Sequence, residues 1–344
     1  MTRVGLQGGG AAAPRAVDVA RLAGVSQKTV SRVFNGERYV SEDVRRRVLG
    51  AAEELGYRLN NAARALASGR TRSIGVVTLG TALYGPASLL IGIERATRDA
   101  GYALRVVNTV EGEPGGIVGA VESLLDQGVD GIIVSEPIDE GTVSLSVHVP
   151  VLVLGAPADF GASRVVAAGV GAESLARAAT EHLLDLGHVT VHHLAGPQRW
   201  FAARDRLAGW RSALAARDRR QPPVIEGDWS AASGYAAGRE LAAGEVTAVF
   251  AANDDMAIGL IRGLTDAGLR VPRDVSVVGF DDIPVSAYVT PPLTTVRQPF
   301  DAVAREGLRL LVQAIEKPDA EPAPAGDPPV DLVVRASTAP PPTR

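Results

Sequence analysis

The stretch Asp18-Val19-Ala20-Arg21-Leu22-Ala23-Gly24-Val25-Ser26-Gln27-Lys28-Thr29-Val30-Ser31-Arg32-Val33-Phe34-Asn35 reads as two short helices joined by a turn at Gly24. Val19, Ala20 and Ala23 form an apolar edge on the first helix, and Val30, Val33 and Phe34 recur at i, i+3 and i+4 on the second. Gly24 supplies the backbone freedom a tight turn needs, and Ser26 is placed to cap the second helix. With the valines turned inward, Gln27, Lys28 and Arg32 face outward near the start of a helix, where a recognition helix presents side chains to base edges in the major groove. Thr29, Ser31 and Asn35 carry groups suited to phosphate oxygens. A helical hairpin with a merely solvated polar face would share part of this pattern.

Working outward, Ser41 followed by Glu42 and Asp43 is a capped, dipole-matched start for a third helix that turns Val44, Val48, Ala51, Ala52 and Leu55 inward and stops at Gly56. Its Arg45-Arg46-Arg47 run suits either phosphates or solvent. The segment from Asn60 to Gly69 is helical in propensity but shorter than the roughly 12–15 residues an isolated helix needs in water, so it is expected to be disordered without DNA.

Charge divides the chain in the same place. Residues 1–72 hold 13 Lys plus Arg against 6 Asp plus Glu, a balance of +7, and the remainder holds 22 against 33, a balance of −11. A basic head on an acidic body suits a polyanion partner held by the head alone. The chain has no cysteine, which excludes thiol chemistry and a disulfide framework. Residues 1–15 hold a Gly-Gly-Gly-Ala-Ala-Ala tract without a secretory apolar core, and no apolar run is long enough to cross a membrane, so a cytoplasmic protein with no membrane partner is expected.

From Ser73 onward strand candidates alternate with helical runs: Ser73–Leu79, Leu104–Val107, Gly131–Val134, Val151–Leu154, Val189–Leu194, Ala248–Ala252 and Ser276–Phe280, read as buried parallel strands. So many βα units exceed one sheet, and an α/β fold with two doubly wound parallel sheets is expected. Polar residues gather at strand ends, as Asn253-Asp254-Asp255 and Asp281-Asp282, where ligands of such folds bind. No nucleotide loop, catalytic constellation or metal-spaced histidine cluster is present, so no enzyme activity, cofactor or metal is expected; His192 and His193 read as structural. The end from Pro318 to Arg344 is rich in Pro and Ala around one strand candidate, Val330–Val334, with no leucine heptads after it.

The Asp18–Asn35 stretch resembles the LacI/GalR-type repressors, whose pattern Asp-Val-Ala-x-x-Ala-Gly-Val-Ser-x-x-Thr-Val-Ser-Arg-Val-x-Asn it matches at every fixed position. The likeness runs from about Ala16 to Thr338. It implies a helix-turn-helix head (residues 15–59) after a disordered tail (1–14), a hinge helix or linker (60–70), and a two-lobed periplasmic-binding-protein-like body (71–340). Lobe 1 is placed at about 71–169 and 299–324 and lobe 2 at about 170–298 and 325–340, with crossings near Gly169, Gln298 and Pro324. The resemblance further implies a homodimer on double-stranded operator DNA, with Asn60 and the wedge residue Leu66 joining the DNA contacts. It implies a small sugar effector, β-galactoside-like, held by Arg206, Asn253 and Asp281 as hydroxyl partners, Trp229 as stacking face, and Leu83, Pro86, Leu89, Gln298 and Phe300 along the other lobe. Release from the operator by sugar is the expected response, with a corepressor ligand or a sugar binder without regulatory role as alternatives. A dimer rather than a tetramer is expected, since no heptad helix follows. This chain departs from a sugar-responsive family pattern at Gly155, which replaces an aspartate, and at Trp200 and Phe201, which replace small or aliphatic residues.

Overall fold

The computed structural model describes residues 14–34, 37, 39–58, 69–109, 116–135, 138–141, 145–155, 165–168, 171–318, 329 and 331–343. The expected tail over 1–14, apart from Pro14, most of the expected hinge over 60–70, the residues Asn35, Asn60 and Leu66, and the crossings at Gly169 and Pro324 lie outside them. The chain divides into two compact units at Thr71/Arg72.

The first unit holds α1 (Ala16–Ala23), α2 (Gln27–Phe34) and α3 (Glu42–Glu54). Each helix begins where its sequence satisfies an orphan backbone donor. The Arg15 amide reaches Asp18, the Thr29 amide reaches the Ser26 hydroxyl at 3.1 Å, and the Val44 amide reaches the Ser41 hydroxyl. Gly24 closes α1 at φ 65°, a left-handed conformation that favours glycine. Val19, Ala20, Ala23, Val30, Val33, Val48, Ala51 and Ala52 are buried together, while Val44, Leu55 and Phe34 are half-buried around them.

The second unit contains two sheets. Sheet 1 has the order β2-β1-β3-β4-β5, all parallel, from β1 (Ser73–Leu79), β2 (Ala103–Thr109), β3 (Gly131–Ser135), β4 (Val151–Leu154) and β5 (Val165–Ala168). It is covered by α4 (Tyr84–Asp99), α5 (Gly116–Asp126) and α10 (Phe300–Glu316). Alternate residues of its central strands enter two cores. Ile74, Val76, Ile133, Leu152 and Leu154 meet α4 and α10, whereas Val77, Ile132, Val134, Val151 and Val153 meet α5. Burial of both faces is why these strands read as continuous apolar runs. The strand β2 departs from that expectation. It sits at the sheet edge, pairs only with β1, and leaves Val106 45% exposed.

Sheet 2 has the order β11-β10-β9-β8-β6-β7, from β6 (His192–Ala195), β7 (Ile225–Glu226), β8 (Ala248–Ala251), β9 (Ser276–Asp281), β10 (Thr294–Arg297) and β11 (Asp331–Val333), the last antiparallel. Its helices are α6 (Ala172–Asp185), α7 (Phe201–Ala216), α8 (Ala231–Leu241) and α9 (Asp254–Asp266). The chain therefore passes from lobe 1 to lobe 2 between β5 and α6, back between β10 and α10 at Gln298 and Pro299, and over again between α10 and β11. The strand expected from Val189 begins only at His192, and β5, β7 and β10 were not expected.

Helices α8 and α9 pack through Gly234, Gly238, Gly259 and Gly263, where a Cβ would strike the facing backbone. At Gly259 it would overlap the Ala231 carbonyl. Gly to Ala inside a helix ordinarily stabilises by roughly 0.5–1 kcal/mol, but overpacking against backbone costs about 1–3 kcal/mol. Gly259→Ala is expected to lower the body's stability by about 1–2 kcal/mol in urea denaturation; an unchanged or raised midpoint would show that the helices separate freely.

Candidate functional site

In the head, the outward face of α2 holds Gln27, Lys28, Ser31 and Arg32, all exposed. Thr29 is half-buried, and its hydroxyl lies 2.8 Å from that of Ser26 in the turn. Arg32 is about half exposed and 3.4 Å from the Glu37 carboxylate, a loose surface pair that phosphate or a base edge can displace. Arg45, by contrast, donates to the Val33 and Glu37 carbonyls and ties α3 to the end of α2. Arg46 and Arg47 pair with Asp43.

In the body, a hollow opens between the lobes at the carboxyl ends of the strands. Lobe 1 contributes Leu83, Tyr84, Gly85 and Pro86 from the start of α4; lobe 2 contributes Trp200, Ala202, Arg206, Trp229, Asn253 and Asp281. The hollow encloses about 30 Å³, and about 330 Å³ when the open solvent at its mouth is counted.

Its polar wall is built from α7, β9 and the crossing. Arg206 and Asp281 are buried, 3.7 Å apart. The Arg206 guanidinium donates to the Ala252 carbonyl and lies 4.1 Å above the Phe280 ring and 5.3 Å from that of Trp229. Gln298 donates to Asp281 Oδ1 at 2.6 Å, so the crossing segment is fastened to the same carboxylate. Trp229 sits at φ 72° beside its own helix cap, Ser230. Asn253 caps α9 by accepting from the Met256 amide at 2.9 Å and donates to the Trp229 carbonyl at 3.0 Å, so it positions Trp229 as well as facing the hollow. Behind Asp281, Asp254 is fully buried and accepts from Thr295, Ser286 and the Ile283 amide. Burial first, and Asp281 second, push its carboxyl up to about 7 against those donors.

The expected ligand residues thus separate. Leu83, Pro86, Arg206, Trp229, Asn253 and Asp281 line the hollow, and Gln298 touches it through Asp281. Leu89 does not: it lies on the inner face of α4, fully buried with Ile74, Ile93 and Leu308. Phe300 packs edge-on against Tyr84 at 6.1 Å and borders a wider open groove next to the hollow. Tyr84, Gly85 and Ala202 had no chemical signature in the sequence and are placed there by the fold alone. Phe201 turns away and packs against the α5 side of lobe 1. Gly155 ends β4 at φ 79° and brings no side chain. His193 is buried between Phe250 and Trp210, with Nδ1 3.0 Å from the Phe250 carbonyl, and burial lowers it to about 4, a neutral structural ring. Among the described residues no group of His, Cys, Asp or Glu could hold a metal ion, and no helix is long and apolar enough to cross a membrane.

Comparison with known proteins accords with both units. Residues 17–60 match the profile of bacterial regulatory proteins of the lacI family, and residues 180–338 that of the periplasmic binding protein-like domain. The lactose operon repressor of Escherichia coli K12 is 37% identical over 303 residues, covering 86% of this chain and 83% of its own length. The chain belongs to the LacI family. As a LacI-family protein it is a DNA-binding transcriptional repressor, in a group whose relatives are repressors and not enzymes. The crystal structure of the lac repressor dimer bound to operator and the anti-inducer ONPF superposes with a TM-score of 0.79 at 34% identity, covering 95% of this chain and 99% of that one. A complex of the transcriptional regulator CelR with cellobiose gives 0.70 at 34% identity, covering 94% and 99%.

The shift at Asp254 has a consequence for the LacI-family body. The folded carboxyl keeps its proton to about pH 7, whereas 3.8 is its ordinary value. Its contribution to stability is therefore complete below the ordinary value and lost as pH rises through about 7, at up to about 1.4 kcal/mol per pH unit. In urea titrations at a series of pH values, Asp254→Asn is expected to flatten the loss of stability towards neutral pH relative to the unaltered protein; parallel profiles would contradict it.

Proposed function

We propose that this repressor binds a near-palindromic operator as a homodimer and is released from it by a small sugar held in the hollow between the lobes, a β-galactoside-like molecule. The observation that carries the reading is the buried Arg206–Asp281–Gln298 cluster facing Trp229 at the strand ends. A guanidinium, a carboxylate and amides supply the donors and acceptors that sugar hydroxyls require, and an indole covers the apolar face of a sugar ring. The operator, dimer and sugar named with the related structures support it by analogy. On the DNA side, Gln27, Lys28 and Arg32 read base edges while Thr29 and Ser31 meet phosphates; the family pattern adds Asn35, Asn60 and Leu66.

The sugar acts through the lobes. Gln298 lies on a crossing segment and is fastened to Asp281, so a ligand that takes over Asp281 favours one lobe arrangement by as much as it prefers that arrangement, typically about 1–3 kcal/mol of coupling. This reading makes the cytoplasm the site of action.

Asp281→Asn keeps an oxygen for Gln298 and Arg206 but removes the charge. Isothermal titration against a panel of mono- and disaccharides should show sugar binding in the unaltered protein and none in this variant, while both bind operator equally. Retained sugar affinity in the variant would refute the site. In the head, Arg32→Ala should cost roughly 1–3 kcal/mol on operator, concentrated at one base position. Equal loss on operator and random duplex would assign Arg32 to phosphate.

A further inference from the structure

Three donors on residues that line the hollow are unmet. Trp200 Nε1, Trp229 Nε1 and Arg206 Nε are buried without a hydrogen-bond partner among the described residues, on side chains of residues that are each 5% exposed. Buried donors are nearly always paired, so three on residues that line one hollow point to a ligand whose acceptor atoms would meet them. The Trp200 and Trp229 rings meet at 75° with centroids 5.7 Å apart, one edge against the other's face, and form an aromatic corner.

Trp200 is held in that corner from both lobes. Its backbone forms a bridge with Ile138 of lobe 1, and the Asp139 amide donates to the Arg199 carbonyl at 2.7 Å. Arg204 pairs with Asp139 at 2.8 Å and donates to the Gln198 carbonyl at 2.6 Å, and the Trp200 ring is buried with Leu79 and Ile138. The ring is therefore a fixed wall that limits the hollow. Opposite it, Leu83, Tyr84, Gly85 and Pro86 bring no formal charge, and the one cation, Arg206, is balanced by Asp281. An added phosphate would meet no spare positive charge here and would face Asp281.

We infer that Trp200 sets the size and class of the effector: a neutral single-ring sugar, bare or with a short substituent, whose oxygens accept from the two indole N–H groups, with a second glycosyl ring shut out by the Trp200 wall. The inference rests on the reading of this hollow as the effector site. The test is calorimetry of the full chain with D-galactose, D-glucose, D-ribose, methyl β-galactoside, galactose 6-phosphate, lactose and cellobiose, on the unaltered protein and on Trp200→Phe, Trp200→Ala and Asp281→Asn. The unaltered protein is expected to bind a neutral single-ring sugar and to refuse the phosphate and both disaccharides. Trp200→Phe keeps the wall without the N–H, and should weaken that sugar about three- to tenfold, the worth of one hydrogen bond, while still refusing disaccharides. Trp200→Ala opens the wall and should admit lactose or cellobiose; if its thermal melt shows that it no longer folds, Trp200→Phe decides. Disaccharide binding by the unaltered protein as tight as that of any single ring, or Trp200 variants with the same preferences as the parent, would overturn the inference. If Asp281→Asn still abolishes binding in that case, the effector site stands and only the role of Trp200 falls. Binding indifferent to Asp281→Asn, or no binding across the panel, would overturn the site and this inference with it.

Discussion

Arg206 and Asp281 are opposite charges taken out of water together, and the rest of the cleft is arranged around making that tolerable. A buried ion pair recovers its desolvation cost only when the remaining hydrogen-bonding positions are filled. Here part of the filling comes from the carbonyl after β8, the Phe280 ring beneath the guanidinium, and the Gln298 amide at the crossing between lobes, while Arg206 Nε has no partner among the described residues. Such a pair contributes little to stability compared with apolar residues of the same size. Its use is to keep a cation and a carboxylate in fixed positions at the mouth of a hollow.

The same constraint explains the second carboxylate. Asp254 lies behind Asp281 and accepts from two hydroxyls and one amide that join α9, the turn after β9, and β10. It acts as a buried brace that holds the ends of three consecutive elements in register, and so fixes where Asp281 can sit. Asp282, next in the chain at φ 53°, points elsewhere and joins Arg297 and Arg335 on the β10–β11 side. Adjacent aspartates thus divide between the cleft and the sheet edge.

Legibility in the sequence followed the strength of local signals. The head was legible because caps, turn glycine and helical period coincide within a few residues, and β1 and β4 because strands buried on both faces are predominantly apolar. The strand β10 was hidden because Thr294, Thr295 and Arg297 look like loop residues; its threonines are buried only because their hydroxyls meet Asp254, Thr338 and the Arg335 amide. Leu89 was implied as a pocket residue only by the family resemblance, and it lies instead in the core on the inner face of α4. The left-handed backbone that places Trp229, and the bridge that fixes Trp200, depend on distant partners and have no local signature.

The central claim is that occupation of the cleft is felt by the head. Fluorescence anisotropy of a labelled operator duplex, titrated with protein at fixed salt in the presence and absence of a saturating sugar that calorimetry shows to bind, measures this coupling directly. The account predicts a weaker operator affinity with sugar, by about five- to 150-fold, the span of ordinary coupling energies. Unchanged affinity, or tighter binding with sugar, would contradict it.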